Sequence, residues 1–120
     1  MHNLNELKIW EKSMKITEAV YKISTTFPDD EKYNLTSQVR RSAVSIPSNI
    51  AEGAGRNTNG EFRQFLGIAN GSSFELLTQL YLSKRLKLIT EDKVRPIINE
   101  ILEVTKMNYS LQKSLNSLNT

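Results

Sequence analysis

Apolar residues recur at intervals of three and four along most of the chain, and this helical period constrains the fold more than any other feature. In the segment 35–56, one helical face carries Leu35, Val39, Ala43, Ile46 and Ile50. The period continues across Pro47, so we expect a kink at this position and not a break, with neighbouring serines helping to satisfy the freed carbonyl. Gly53 and Gly55 are expected to end this helix.

Two other segments predict a first and a third helix. The first stops before Phe27, because Pro28 forces the residue before it out of the helical region. Its expected inward face is Leu7, Trp10, Met14, Thr17, Tyr21 and Ser24, widened by Ile9, Ile16, Val20 and Ile23. The third helix is predicted to begin at Thr58, which forms a capping box with Glu61, and to run to about Lys87.

A fourth helix is predicted to begin after Thr90, and it repeats an apolar seam with a single polar member. The seam consists of Val94, Ile97, Ile101, Val104, Asn108, Leu111, Leu115 and Leu118. Asn108 sets register or subunit pairing if it is buried, and is merely exposed if the seam turns away there. Gly67 and Gly71 permit close backbone approach, either inside the bundle or between chains, and periodicity does not separate these two cases.

These four segments define the expected fold class. No stretch alternates as a strand would, and no low-complexity linker divides the chain. Helices of similar length joined by short connections pack antiparallel. We therefore expect one domain over residues 1–120, all-α, folded as an antiparallel up-and-down four-helix bundle.

The composition argues against most kinds of catalytic site. The chain has no cysteine and its only histidine is His2, so thiolate nucleophiles, triads and the usual metal sites lack their residues. Glu52 and Glu75 suggest a hydrolase acid pair, but nothing fixes their separation. A polar network with Arg41 or Arg56 is the alternative role for these acids. We predict a protein that is not an enzyme and that has no metal and no cofactor.

The amino-terminal residues and the apolar windows bear on location. The first residues mix acids and bases with scattered apolar side chains, unlike a signal peptide. The longest weakly charged window, residues 65–82, contains polar side chains that are unfavourable in lipid. We expect a cytoplasmic protein with no membrane association.

Positive charge is concentrated in the middle of the chain. Of the formal net charge of +3, residues 35–90 contribute 7 − 3 = +4, while residues 1–34 contribute 5 − 6 = −1 and residues 91–120 contribute 4 − 4 = 0. The side chains expected to contact a phosphate backbone are Arg40, Arg56, Arg63, Lys84, Arg85 and Lys87. A solvated cation without a ligand is the alternative for each of them. Since Arg40 and Arg41 project about 100° apart on a helix, one of the pair should remain free.

A second set of polar residues is expected to form a structural or interface network. Its members are Gln38, Arg41, Ser45, Asn49, Glu52 and Asn108. The glycines of the segment 53–60 also suggest a phosphate-cradling loop. That loop requires a preceding strand and a GxxxxGK[ST] run, and neither is present, so a helix stop is the favoured interpretation.

The motif RRSAVSIPSNIAEGAGR, followed by EFRQFLGIANGSSFELLTQL, resembles the four-helix bundle proteins encoded by intervening sequences in bacterial 23S ribosomal RNA genes. The resemblance extends over roughly residues 7–90 and includes the pattern L-x-x-W-x-x-S-M near the amino terminus. It implies a ring-shaped homopentamer, with relatives that include the accessory protein of diversity-generating retroelements. The connection 57–60 is neutral where relatives often place basic residues.

Charge and resemblance together suggest two functions. The first is a non-enzymatic oligomeric scaffold that binds structured RNA or DNA through phosphates, since five copies would carry about 5 × 3 = +15. The alternative is a protein-interaction scaffold for a partner such as a polymerase or reverse transcriptase, without direct nucleic-acid binding.

Overall fold

The computed structural model describes residues 2–117, and this range contains four α-helices and no strand. The helices are α1 (Lys8–Ser24), α2 (Leu35–Ala54), α3 (Asn59–Arg85) and α4 (Glu91–Ser117). Short 3-10 helices precede α1 at Leu4–Glu6 and α2 at Asp29–Glu31. The prediction of an all-helical chain with four helices is confirmed for the described residues.

The four helices pack side by side around one apolar core. Each helix contacts the next along the chain, and α1 closes the arrangement by packing against α4. The short connections make neighbours antiparallel, and the molecule is elongated, with dimensions of 48 × 22 × 21 Å. The long sides of α2, α3 and α4 therefore offer the largest surfaces to other molecules.

The inward face of α1 differs from the predicted one. Its buried residues are Ile9, Ser13, Ile16, Val20 and Ser24, whereas Met14 and Tyr21 of the predicted face are exposed. The prediction is confirmed for Ser24 and for the flanking Ile9, Ile16 and Val20, and it was wrong for Met14 and Tyr21. Apolar residues occur on most sides of this helix, so two stripes, about one residue apart, both fit the period. Packing selected the stripe that contains Ile9, Ile16 and Val20, and Trp10 and Ile23 are half-buried beside it.

Helix α2 keeps its predicted inward face across Pro47. All five predicted residues are buried, and Pro47 lies inside an uninterrupted helix. Proline leaves the carbonyl of Ala43 without its helical donor. The hydroxyl of Thr17 in α1 lies 3.0 Å from that oxygen and 2.8 Å from the carbonyl oxygen of Ser13 in its own helix, so its one proton is shared between the two acceptors. The freed carbonyl is thus satisfied across the helix interface.

The ends of the helices follow the sequence signals with one exception. Thr58 caps α3, since its hydroxyl oxygen accepts from the N–H of Glu61 at 3.1 Å. The seam of α4 is buried at Val94, Ile97, Ile101, Val104, Asn108 and Leu115 and half-buried at Leu111, while its predicted last member, Leu118, lies outside the described residues. Gly53 was expected to end α2 but lies within it, and Gly55 is the residue that follows the last helical position.

Candidate nucleic-acid interface and assembly surface

Small residues bring α2 and α3 into close contact. A Cβ added at Gly53 would lie 2.8 Å from the Cβ of Phe65 and 2.9 Å from Cδ1 of Phe62, so only glycine fits there. About two turns before Gly53 in α2, the hydroxyl of Ser45 lies 2.8 Å from the hydroxyl of Ser72 in α3 and shares a hydrogen bond with it. This contact accounts for Ser45 and Gly53 of α2 and for Ser72 of α3.

The residues predicted as one polar network occupy three separate places. Asn49 donates through Nδ2 to the backbone carbonyl of Ser45 at 2.8 Å and to its hydroxyl at 3.0 Å. Gln38 and Arg41 lie one to two turns before Ser45 in α2. Together with Ser42, Ser45, Glu75 and Gln79 they line a pocket of about 310 Å³ between α2 and α3. Glu52 lies at the opposite end of α2, and Asn108 lies in α4.

Asn108 joins α4 to α3 within one chain. It is 1% exposed, and its Nδ2 donates to the carbonyl of Leu66 at 2.9 Å. Its Oδ1 accepts from Nε2 of Gln112 at 2.5 Å. Both ends of the amide are thus satisfied inside the bundle, where a buried asparagine fixes the register of one helix on another.

Arg40 and Arg56 are both held by neighbouring groups. Arg40 donates through Nε to the hydroxyl of Ser24 at 2.8 Å, and its guanidinium lies 4.9 Å from the centre of the Tyr21 ring. Arg56 forms ion pairs with Glu52 at 3.0 Å and with Glu61 at 3.6 Å. Arg56 therefore links the end of α2 to the start of α3, and two carboxylates offset its charge.

Arg63 and Lys84 also have partners within the chain. Arg63 donates through Nη1 to the carbonyl of Leu115 at 3.2 Å, near the end of α4. Lys84 contacts Glu91 at 2.6 Å, and Arg95 contacts the same carboxylate at 2.6 Å. Hydrogen bonds from Arg95 and then from Lys84 lower the pKa of Glu91 from its ordinary 4.5 to about 2.

Arg85 and Lys87 are the predicted contacts that remain without a side-chain partner among residues 2–117. They lie where α3 turns into α4, and Lys87 has a positive φ of 63°. The N–H of Leu88 donates to the carbonyl of Ser83, and the N–H of Lys87 donates to that of Lys84, both at 2.9 Å. This is a Schellman motif, whose left-handed position usually holds glycine. The name basic turn is used below for Lys84, Arg85 and Lys87.

One side of α3, which carries Gly67 and Gly71, faces away from the rest of the bundle. At Gly67 and Gly71 an added Cβ would meet no atom within 4 Å, so neither glycine serves packing inside the bundle. Both face outward beside exposed apolar side chains, and we call this set the outer face of α3: Gly67, Ile68, Gly71, Phe74, Tyr81 and Leu82. Glu75 is the only charged residue between Arg63 and Lys84, and this scarcity of charge is a sequence signal for the face.

Two further kinds of feature are absent from the described range. Within residues 2–117 there is no group of three or more histidine, aspartate or glutamate side chains placed to hold a metal ion. No helix in that range is both long enough and apolar enough to cross a membrane.

Comparisons with known proteins agree with this geometry. A solved structure of a protein of unknown function, from the S23 ribosomal protein family of Bacteroides thetaiotaomicron, is similar, with a TM-score of 0.79 and 26% identity over 88% of this chain and 98% of the other. Among proteins with curated descriptions, none matches. The family model of the 23S rRNA-intervening sequence protein matches residues 5–110. These findings confirm the resemblance drawn from the motifs, and the chain belongs to the 23S rRNA-intervening sequence protein family.

Proposed function

We propose that this protein is a non-enzymatic scaffold built from several copies of the chain, which associate through the outer face of α3. The observation that carries this proposal is the exposure of that face. Phe74 is 56% exposed, and Ile68, Tyr81 and Leu82 of the same helix are exposed as well. Contiguous exposed apolar side chains on a monomer mark surfaces that contact other molecules.

The two glycines of this face support a helix as the partner. Each glycine inside a helix costs about 1 kcal/mol relative to alanine. Gly67 and Gly71 relieve no contact inside the bundle, where a Cβ would have free space. A second helix lying across them would use the missing Cβ atoms for close backbone approach, in the way that α3 itself approaches Gly53 of α2.

A closed ring is the assembly that we propose, and the resemblance described above favours a homopentamer. In a ring, the outer face of α3 in one copy contacts a different surface of the next copy. Each copy then presents its basic turn at the same height, because all copies are related by rotation about one axis. A modest charge on one chain becomes a rim of repeated positive charge.

The assembly is tested by measuring mass in solution. We expect sedimentation velocity to show a species several times the 13.7 kDa of one chain, and Phe74→Glu to dissociate it while leaving the helical circular dichroism signal unchanged. Tyr33→Glu is the matched control, since Tyr33 is an exposed aromatic residue outside the four α-helices. A lone subunit at micromolar concentration in the unmodified protein would reject the proposal.

Nucleic-acid binding is a second candidate function, which the basic turn favours. Among the six cations considered above, Arg85 and Lys87 have no side-chain partner within residues 2–117, and Lys87 is held out from the helix end by its left-handed conformation. Cations of this kind bind phosphates without base recognition, with an affinity that falls steeply as salt rises. Each assembled copy would contribute one such turn to the rim.

Filter binding of structured RNA and duplex DNA at increasing salt tests this second function. We expect Arg85→Glu combined with Lys87→Glu to abolish binding, and Arg56→Glu to have a smaller effect, because Arg56 is already paired with two carboxylates. Absence of binding even at low salt would favour the rival scaffold function, in which the assembly holds a partner such as a polymerase. Under that rival, capture of the partner survives charge reversal at the basic turn.

A further inference from the structure

A groove with a volume of about 750 Å³ runs between α1 and α4, and we call it the α1–α4 groove. Its apolar lining consists of Ile16, Ala19, Pro96, Ile97 and Met107. Ile16 and Ile97 are buried core residues and lie at its base, while Ala19 and Met107 are half-buried. An open apolar groove of this kind can receive the apolar face of a helix.

The proposed ring needs a surface of this kind. In a ring, the outer face of α3 contacts a different surface of the next copy. That face projects Phe74, which is 56% exposed, and further apolar side chains, so the receiving surface should be apolar and concave. The α1–α4 groove meets both requirements. The pocket between α2 and α3 does not, because all of its lining side chains are polar.

Contacts within the bundle show which residues of α1 and α3 lie at the same level. Lys12 of α1 contacts Glu100 of α4 at 2.6 Å, so these two residues are level. Asn108 of α4 is level with Leu66 of α3, to which it donates a hydrogen bond. Because α3 and α4 are antiparallel, Glu100, eight residues before Asn108, is level with Phe74, eight residues after Leu66. Lys12 and Phe74 therefore lie at about the same level.

This alignment gives the groove and the outer face of α3 the same extent. Helices α1 and α3 run in the same direction, so the groove-lining segment 5–19 is level with about residues 67–81 of α3. The outer face of α3 extends from Gly67 to Leu82. Both surfaces are about 21 Å long at 1.5 Å per residue. When copies stand side by side with their helices along the ring axis, the two surfaces meet without displacement along the helices.

Rotation about such an axis also determines which edges meet. The edge of the outer face that lies toward α2 turns to α1 of the next copy, and the edge toward α4 turns to the next α4. Among the described residues, the segment 5–19 brings three lysines and two glutamates to the groove, whereas α4 brings Glu100 and Glu103 and no cation. Glu75 lies on the α2 edge, so it meets the wall of net charge 3 − 2 = +1 and avoids the two carboxylates of α4.

We infer that the outer face of α3 in one copy lies in the α1–α4 groove of the next copy, so that copies join head to tail. The inference rests on the proposed self-association through the outer face of α3 and names the surface that receives it. Gly67 is level with Met107, and its missing Cβ leaves room for that side chain. Phe74 enters the groove near the middle of its length.

Substitutions in the groove test this inference. For Ala19→Arg, which places a long charged side chain in the groove, the dissociation constant of self-association from sedimentation equilibrium should rise at least tenfold. Glu18→Arg is the matched control, because Glu18 is the exposed neighbour of Ala19 and does not line the groove. Lys15→Glu changes an exposed groove residue, so folding is not at stake. It brings a second carboxylate near Glu75 and should weaken association severalfold at low salt.

Mixing two variants tests the head-to-tail contact directly. Phe74→Glu chains keep an intact groove, and Ala19→Arg chains keep an intact outer face of α3. Each variant alone should remain a single chain at concentrations where the unmodified protein assembles. An equimolar mixture at higher concentration should form a complex of twice the 13.7 kDa of one chain and nothing larger, because only one matched pair of surfaces remains.

The two possible failures are distinguishable. If the unmodified protein assembles but the groove variants assemble with the same affinity, or the mixture forms no complex, the outer face of α3 contacts another surface. The inference is then overturned, while the scaffold proposal stands. If the unmodified protein remains a single chain at all concentrations, the scaffold proposal is rejected and the inference is rejected with it.

Discussion

Replacing Gly53 by alanine sets two effects of opposite sign against each other. In an exposed helix interior, alanine is favoured over glycine by about 1 kcal/mol. Gly53 is the penultimate residue of α2, so the gain in backbone propensity is smaller there. The opposing effect is steric, because the new Cβ would lie 2.8 Å from the Cβ of Phe65 and 3.2 Å from the backbone oxygen of Phe62.

The steric effect should dominate. The contacts involve a Cβ and a backbone carbonyl, which move only if α2 and α3 separate, and the ring of Phe62 is 1% exposed and cannot swing away. Overpacking of this kind costs about 1–3 kcal/mol. Subtracting the gain in propensity, we expect Gly53→Ala to lower the free energy of unfolding by about 1–2 kcal/mol.

Urea denaturation followed by far-UV circular dichroism measures this change on the dilute protein. Gly67→Ala and Gly71→Ala are matched controls, since both are helical glycines whose added Cβ meets no atom within 4 Å. Each control should raise the free energy of unfolding by about 0.5–1 kcal/mol. Equal stabilisation by all three substitutions would refute the argument that Gly53 is required for the approach of α2 to α3.

Three other substitutions test individual contacts. Thr17→Val should lower the free energy of unfolding by about 1–2 kcal/mol in urea titrations, because the Ala43 carbonyl loses the hydroxyl that it shares with Ser13 and has no helical donor to replace it. Thr78→Val loses only a bond to its own helix and should change the free energy of unfolding by less than about 0.5 kcal/mol. Lys87→Gly should raise the free energy of unfolding by about 1 kcal/mol, because glycine adopts a positive φ without strain. The melting temperature should rise accordingly, and an unchanged melting temperature would contradict this. The pKa of Glu91 is lowered to about 2 in the folded chain, so its ion pairs stabilise the protein above pH 4.5 and are lost as the pH falls toward 2. In Glu91→Gln the free energy of unfolding should therefore fall less between pH 4.5 and pH 2 than in the unmodified protein. The same pH dependence in both proteins would exclude this role.

Much of the helical framework could be predicted because its signals are local. The stripe of α2, the seam of α4 and the cap at Thr58 each depend on residues within a few turns of one another, and the structure shows the stripe, the cap and the seam as far as Leu115. The contact between Arg56 and Glu52 is of the same kind, since residues four apart on a helix are neighbours. The two free cations of the basic turn, by contrast, were not separable from the other four by sequence.

The sequence by itself determined the number of helices, their approximate ends and the inward faces of α2 and α4, because periodicity and capping are properties of consecutive residues. Only the tertiary structure decided which of two stripes on α1 is buried, and that Thr17 satisfies the carbonyl freed by Pro47. It also separated glycines of identical local character: Gly53 faces two phenylalanines, and Gly67 faces open space. The physical reason is that these properties depend on what lies opposite a residue, and that neighbour comes from a distant part of the chain.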